Sequence, residues 1–392
     1  MITYNTPLLI SNEGPPLHRA SVVCDDEGRV ISVAEGYCAG AVDLDGVLVP
    51  GFVNAHCHLE LSHLKGKIPE REGGMTGFIR ALLAQRFLSD EAMQVEAMHL
   101  ADHDMWAEGI VAVGDISNSS LSAEVKRDSR IRYHTFVELL GLEPAKAAAI
   151  VKQGMELLQY FTASGRHTAS LTPHAPYSVS QRLYAGIFNS MAAGDPLSIH
   201  MQESEDELAF CRDVSGPMAD FFREASFPLS DFVPFGSGRP LEHLLPSFPK
   251  QHRLQLVHNT YTNEGEMHAA ESVHPQLYWC LCPGANGYIT GRLPDVMAMY
   301  RLGLRVTIGT DSLASNRQLS VLEELKLISK NFPGIPFTEL LKWAGLNGAE
   351  FLGMENEFGK IKSGWKPGLI LLEGMNPENP VLHEGVSCRR IC

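Results

Sequence analysis

Pro50-Gly51-Phe52-Val53-Asn54-Ala55-His56-Cys57-His58-Leu59-Glu60 reads as an apolar strand that ends on two histidines one residue apart. Residues i and i+2 of a β-strand point to the same side, so His56 and His58 project together, while Cys57 takes the opposite face as wall packing. Two imidazoles converging from the end of a buried strand fill a core poorly. They hold a metal well, because neutral imidazole nitrogen is a common zinc ligand. A pair of ligands is only half a site, and the remaining donors must come from elsewhere in the chain.

Outward from this strand, similar apolar runs recur at Ile110 to Ile116, Tyr133 to Leu139, Thr168 to Thr172, Leu197 to His200, Leu254 to His258, Leu277 to Leu281 and Arg305 to Gly309. With Gly51 to Ala55 they number eight. Helix-period segments separate most of them, among them Gly77 to Gln85, Asp90 to Trp106, Ala145 to Phe161, Gln181 to Met191 and Val321 to Asn331. Eight β/α repeats predict a (β/α)8 TIM-like barrel with its active site at the carboxyl ends of the strands. An open doubly wound sheet is the alternative architecture, although no G-x-G-x-x-G follows the first strand.

Short β-like runs occupy both chain ends: Leu8 to Ile10, Ala20 to Cys24, Val30 to Ala34 and Val47 to Val49 at one, Gly359 to Ile361 and Gly368 to Leu372 at the other. The expected organisation is a small composite β-sandwich built from residues 1–48 plus 357–392, flanking a barrel over residues 49–356. The segment 204–253 is long and rich in proline, phenylalanine and glycine. It reads equally as a lid over a site or as a surface excursion.

Composition narrows the function classes. At 392 residues, 44% hydrophobic and 20% charged, the chain reads as an ordinary globular protein. A net charge of −14 without a basic patch argues against nucleic acid or an anionic membrane as a partner. The residues from Met1 to Tyr4 do not begin a signal peptide, and no apolar run is long enough to span a bilayer. Eight scattered cysteines fit a reducing, cytoplasmic setting, and the Cys280-x-Cys282 pair reads as buried strand cysteines.

If the barrel is right, chemistry should sit where strands stop. The fifth strand ends His200-Met201-Gln202-Glu203, the sixth Val257-His258-Asn259 and the eighth Gly309-Thr310-Asp311-Ser312. With His56 and His58 this puts four histidines and two carboxylates at one rim. A catalytic zinc prefers nitrogen and carboxylate ligands with a position left for water, so His56, His58, His200 and Asp311 make a suitable set. Such a metal lowers the pKa of bound water from about 15.7 towards 7. Glu203, three residues beyond His200, is placed to move the water's proton, and His258 to orient the water or polarise the substrate.

These pieces carry a resemblance. PGFVNAHCHLE, SLTPHAPYSVS, IHMQESEDE, LVHNTYT, CPGAN and GTDSLASN, running in order from Pro50 to Asn316, resemble the amidohydrolase superfamily, in its mononuclear deaminase and chlorohydrolase branch. That resemblance implies one metal on His56, His58, His200 and Asp311, Glu203 as proton shuttle, and His258 beside the attacking water. Asp311 would serve as both ligand and second base. It further implies that His174, within Pro173-His174-Ala175-Pro176-Tyr177, lines the substrate pocket with Tyr177. Glu60 and Asn286, in the first and fifth motifs, are the remaining substrate-side candidates. Binuclear relatives carry a carboxylated lysine at the end of strand four, and Thr168 to His174 has no lysine, which implies a single metal. Two positions depart from the family: Gly284-Ala285, where Arg and Ser are usual, expected to widen or alter the pocket, and Pro367-Gly368, where Ala-Asp is usual.

The expected activity is hydrolytic deamination of an aminated N-heterocycle with release of ammonia. The HLELS variant of the first motif resembles aminodeoxyfutalosine deaminases, which favours an adenine-type nucleoside. Guanine is the next substrate. The rival activities are hydrolysis of a cyclic amide, imidazolonepropionase-like, and a catalytically silent scaffold. Zinc is the expected metal, with iron(II) an alternative, and a homodimer is implied by the family alone.

Overall fold

In a computed structural model describing residues 1–392, the eight apolar runs form eight parallel strands. They are Phe52–Cys57, Ile110–Ser117, Arg132–Leu139, Thr168–Pro173, Leu197–Met201, Leu254–His258, Leu277–Leu281 and Val306–Ile308. The first four pair in sequence order as one sheet and the last four as another. Two seams join these halves. Between the fourth and fifth strands a side chain takes over the ladder: Ser198 N donates to Thr172 Oγ1 at 2.9 Å, and Thr172 Oγ1 donates to the Ser198 carbonyl. Between the eighth and first strands, Thr310 N and Asp311 N both donate to the His56 carbonyl, at 3.0 and 3.1 Å. Asn54 and Thr310 exchange side-chain hydrogen bonds beside them. The ring therefore closes as a barrel, and the open-sheet alternative falls.

Strands buried on both faces read as nearly continuous apolar runs, and within them alternation decides which layer a side chain joins. Tyr278, Cys280 and Cys282 belong to a core with Val53, Ala55, Phe136 and Phe351, whereas Trp279 and Leu281 join the large core shared with the surrounding helices. The C-x-C pair is thus buried strand wall, as its apolar setting predicts.

The chain ends build one seven-stranded sheet, in the order Ser387–Arg390, Leu369–Glu373, Val47–Pro50, Ile2–Leu9, Leu17–Cys24, Val30–Glu35, with Val42–Asp43 also pairing Ile2–Leu9. Period-two alternation buries both of its faces. Leu8, Val47, Val49, Ile370 and Leu372 enter the barrel's main core, and Leu9, Leu48, Leu369 and Leu371 a second core with Val22 and Val30. The run Gly359 to Ile361 is not a strand: Gly359 turns the chain at φ 86°, leaving Ile361 N to donate singly to Ser11 O at 2.9 Å. The terminal strand that composition hides is Ser387–Arg390, whose charged residues mark it as an edge.

Segment 204–253 is largely helical, with Glu205–Asp213 and Gly216–Glu224 as its main helices. Phe210, Phe221 and Phe222 from these helices pack with Met75, Tyr177 and Ile289 into a separate apolar cluster. No helix is long and apolar enough to cross a membrane.

Candidate active site

Strand ends supply the polar groups, and several of them sit on unusual backbone. Gln202, His258, Asn259 and Asp311 have φ of 49°, 72°, 54° and 56°. Non-glycine residues in this left-handed region cost about 1–3 kcal/mol each and persist where the surroundings over-determine them. Here the closing hydrogen bonds do so: Asn259 N donates to Met201 O at 3.0 Å and Asp311 N to His56 O at 3.1 Å.

Four electron-pair donors converge at this rim. His58 Nε2 lies 3.2 Å from His56 Nε2, 3.3 Å from His200 Nε2 and 3.3 Å from Asp311 Oδ1, and His56 Nε2 lies 3.7 Å from the same oxygen. Burial pushes the His56 imidazole down to about 4 and that of His58 to about 3, so both rings are neutral at neutral pH. His200 Nδ1 donates to the His174 carbonyl at 2.9 Å. That fixes its tautomer and leaves the Nε2 lone pair facing the cluster. Burial works to raise Asp311, but the His56, His58 and His258 rings around it hold it well below the usual carboxylate range, and Ser315 Oγ donates to its Oδ2 at 2.5 Å. Neutral rings and a carboxylate turned on one point repel one another unless a cation lies between them. The donor set therefore fits a divalent metal.

Glu203 and His258 stand beside this cluster, with Glu203 Oε1 3.4 Å from His258 Nε2. Burial, reinforced by the Asp311 and Glu207 carboxylates, pushes Glu203 well above the ordinary range. Burial likewise pushes His258 down to about 3. The acidic run after Glu203 is not simply a solvated face. Glu207 turns inward and accepts from Gln202 N at 3.0 Å and Glu203 N at 2.8 Å, holding the backbone of the shuttle candidate.

A cavity of about 340 Å³ opens onto these groups. His58, His200, Glu203, His258 and Asp311 form its polar floor, and Phe78, Leu82, Phe221, Phe222 and Phe227 are among its apolar walls. His174 and Tyr177 both line it, with His174 Nδ1 2.7 Å from Ser178 Oγ. Glu60 and Asn286 do not line it. The Glu60 carboxylate instead accepts from Asn118 N, Ser119 N and Ser119 Oγ at 3.1, 3.1 and 2.9 Å. Asn286 donates to Thr260 Oγ1 and sits behind His258. Gly284 does not widen the pocket either. A Cβ there would lie 2.5 Å from Glu324 Oε1 and 2.6 Å from Asn316 Nδ2, so the space is already taken.

Among the polar cavity residues that were not candidates from sequence are Glu138, Asn118 and Arg86. Glu138 did carry a signal, being a lone carboxylate at the carboxyl end of an apolar barrel strand. Asn118, the residue after the second strand, carried the same positional signal, whereas Arg86 carried none because a helix end brings it in.

A model of the amidohydrolase family matches residues 47–387 of the chain. Over 320 residues the chain is 28% identical to an adenosine deaminase of Helicobacter pylori, covering 80% of this chain and 76% of that protein. It is 27% identical over 362 residues to an aminodeoxyfutalosine deaminase of a Nitratiruptor species, covering 87% and 83%. The crystal structure of Helicobacter pylori aminofutalosine deaminase with methylthio-coformycin superposes with a TM-score of 0.79 at 23% identity, over 96% of this chain and 94% of that one.

Proposed function

The chain belongs to the amidohydrolase family, and on that footing we propose that it is a metal-dependent hydrolytic deaminase of an adenine-type nucleoside. The observation that carries this reading is the convergence of His56, His58, His200 and Asp311 at the floor of a largely apolar cavity, with a buried, proton-retaining Glu203 at its edge. Curated relatives that deaminate adenine-type nucleosides support the choice of substrate class. An aromatic amine fits between apolar walls and presents its polar edge to the floor.

His56, His58, His200 and Asp311 would hold one divalent ion, zinc by donor type and iron(II) as the alternative. When bound, such an ion supplies Lewis acidity and makes water a nucleophile at neutral pH. The protein's own residues do the rest. Deamination adds water across the ring carbon bearing the amino group and expels ammonia. Glu203, which burial keeps protonated, delivers that proton to the adjacent ring nitrogen, making the carbon electrophilic, and takes one in its place from the attacking water. The proton taken from the water goes to the departing amine, which leaves as ammonia, and the hydroxyl proton left on the ring carbon passes to Asp311 or back to Glu203. His258, neutral through burial and 3.4 Å from Glu203 Oε1, orients the water and the developing oxygen. Asp311 stays anionic and provides a second proton acceptor. His174 and Tyr177 border the substrate on the cavity wall.

Ammonia release measured across adenine nucleosides, adenine, guanine and cyclic amides tests this reading, alongside metal analysis of the same preparation. Turnover of an adenine nucleoside with release of ammonia is expected. Turnover confined to guanine or to a ring-opening amide hydrolysis would replace it, and no turnover by a fully metallated protein would return the silent scaffold.

A further inference from the structure

Glu138 ends the third barrel strand with a side chain only 5% exposed, yet one of its oxygens has no hydrogen-bond partner. Leaving a buried acceptor unpaired is costly, so such a group asks for a reason. Its surroundings are specific. Asn118 Nδ2 donates to Oε2 at 3.0 Å and to the Glu138 carbonyl at 3.3 Å, while Arg86 Nη2 donates to Asn118 Oδ1 at 3.2 Å. Asn118 is thereby oriented as a donor and anchors the carboxylate on one side. Oε1 points at the outer edge of His200, 3.7 Å from Nδ1. That nitrogen is already committed to the His174 carbonyl, so it does not satisfy Glu138.

Three carboxylates line the cavity: Glu138, Glu203 and Asp311. The last two face the metal-ligand cluster. Glu138 stands one imidazole width away from it, because His200 turns Nε2 towards the other ligands and Nδ1 towards Glu138. A substrate with its amino-bearing carbon at the floor extends its far end along this wall. An adenine joined to a sugar through N9 offers no hydrogen-bond donor on its ring beyond the amino group that reacts, so a carboxylate at that distance has nothing to accept from the base of a nucleoside. The donors available are the hydroxyls of an attached ribose, and a carboxylate matches a vicinal diol, accepting one hydrogen bond on each side.

We infer that Glu138, anchored by Asn118, is the acceptor for the ribose hydroxyls and makes this site selective for ribonucleosides over free bases and deoxynucleosides. The inference rests on the adenine-nucleoside reading above and goes beyond it in naming the group that recognises the sugar. Glu138 would touch substrate and leave the chemistry to the floor residues.

The test compares kcat/KM for adenosine, 2′-deoxyadenosine and 3′-deoxyadenosine in the native enzyme and in Glu138→Gln, with bound metal measured in both. The native enzyme is expected to prefer adenosine over at least one deoxy analogue by about 10- to 100-fold, the range of a hydrogen bond to a charged group. In Glu138→Gln that preference should fall to a few-fold. The loss should fall on adenosine, mainly through KM, with metal content unchanged. An unaltered preference in an active Glu138→Gln protein overturns the inference while leaving the deaminase reading intact. So does a native enzyme that treats all three nucleosides alike, a result that needs no variant. Deamination of free bases without any nucleoside turnover overturns both.

Discussion

His200 shows how one side chain can be read twice. Its Nδ1 is fixed by the His174 carbonyl at 2.9 Å and its Nε2 is left for the ligand cluster, so the backbone of one strand end sets the metal-binding tautomer of the next. His200→Ala should therefore strip most of the metal, as read by metal analysis of the purified variant; a fully metallated, active His200→Ala protein would contradict the ligand role. Glu203→Gln separates holding the metal from moving protons. Metal content should persist while ammonia release drops by about 10²- to 10⁴-fold, the usual contribution of a positioned proton carrier. Retained turnover would remove Glu203 from the mechanism. At this scale the five polar groups of the floor, and His56 behind them, were legible as candidates, because each stands at or just beyond the end of an apolar strand run. Glu60 sits in the same motif as the ligands, but its carboxylate is committed to the loop at Asn118 and Ser119.

At the scale of elements, the second barrel strand carries a buried ion pair that steadies the first. Asp115 accepts from Leu59 N at 2.8 Å, one residue after His58, and faces Lys126 Nζ at 2.6 Å. Lys126 also donates to Ser117 Oγ and Thr135 Oγ1 at 2.9 and 3.0 Å, and both charged side chains are almost fully buried. Removing one partner strands the other charge, so Lys126→Met should cost about 3–5 kcal/mol in denaturant unfolding. The double change with Asp115→Asn should be milder than that single. Gly309, closing the eighth strand, is a second such point. A Cβ there would lie 2.7 Å from His56 Cβ and 2.9 Å from the sulfurs of Cys280 and Cys282. Gly309→Ala should displace His56, seen as weakened metal retention with the secondary structure preserved. Neither interaction can be read from periodicity, since each joins residues distant in the chain.

At the scale of the molecule, the terminal sheet and the barrel share one core through Leu8, Val47, Ile370 and Leu372. The two should unfold in a single calorimetric transition, and a separate low-temperature transition for the terminal sheet would contradict this. Acid should act on the whole. Burial lowers His134 and His258 to about 3, and His56 and His174 to about 4. A folded pKa below the unfolded value near 6.5 gives stability that is complete above about 6.5 and lost as pH falls towards those values, at about 1.4 kcal/mol per pH unit per group. Glu207 and Glu324 run the other way. Burial raises them to about 7 and about 8 from 4.5, so their contribution is present below about 4.5 and lost as pH rises through 7 and 8. Thermal midpoints across pH should fall on both sides, and Glu324→Gln should flatten the alkaline limb.

The sequence by itself determined the repeat of eight strands, the ligand-bearing strand ends and the family they resemble. Those depend on local pattern: burial on two faces demands continuous apolar runs, and a polar group ending such a run is conspicuous. Tertiary structure alone decided how the ring closes at Thr172 and Thr310, that segment 204–253 becomes helices whose phenylalanines wall the cavity, and that Glu138 is held by Asn118 beside His200. Each of these joins residues far apart in sequence through single hydrogen bonds or side-chain contacts, and such pairings leave no period in the chain. His56-Cys57-His58 announces the metal site because its geometry is that of one strand. The shape of what the site admits belongs to the packed molecule.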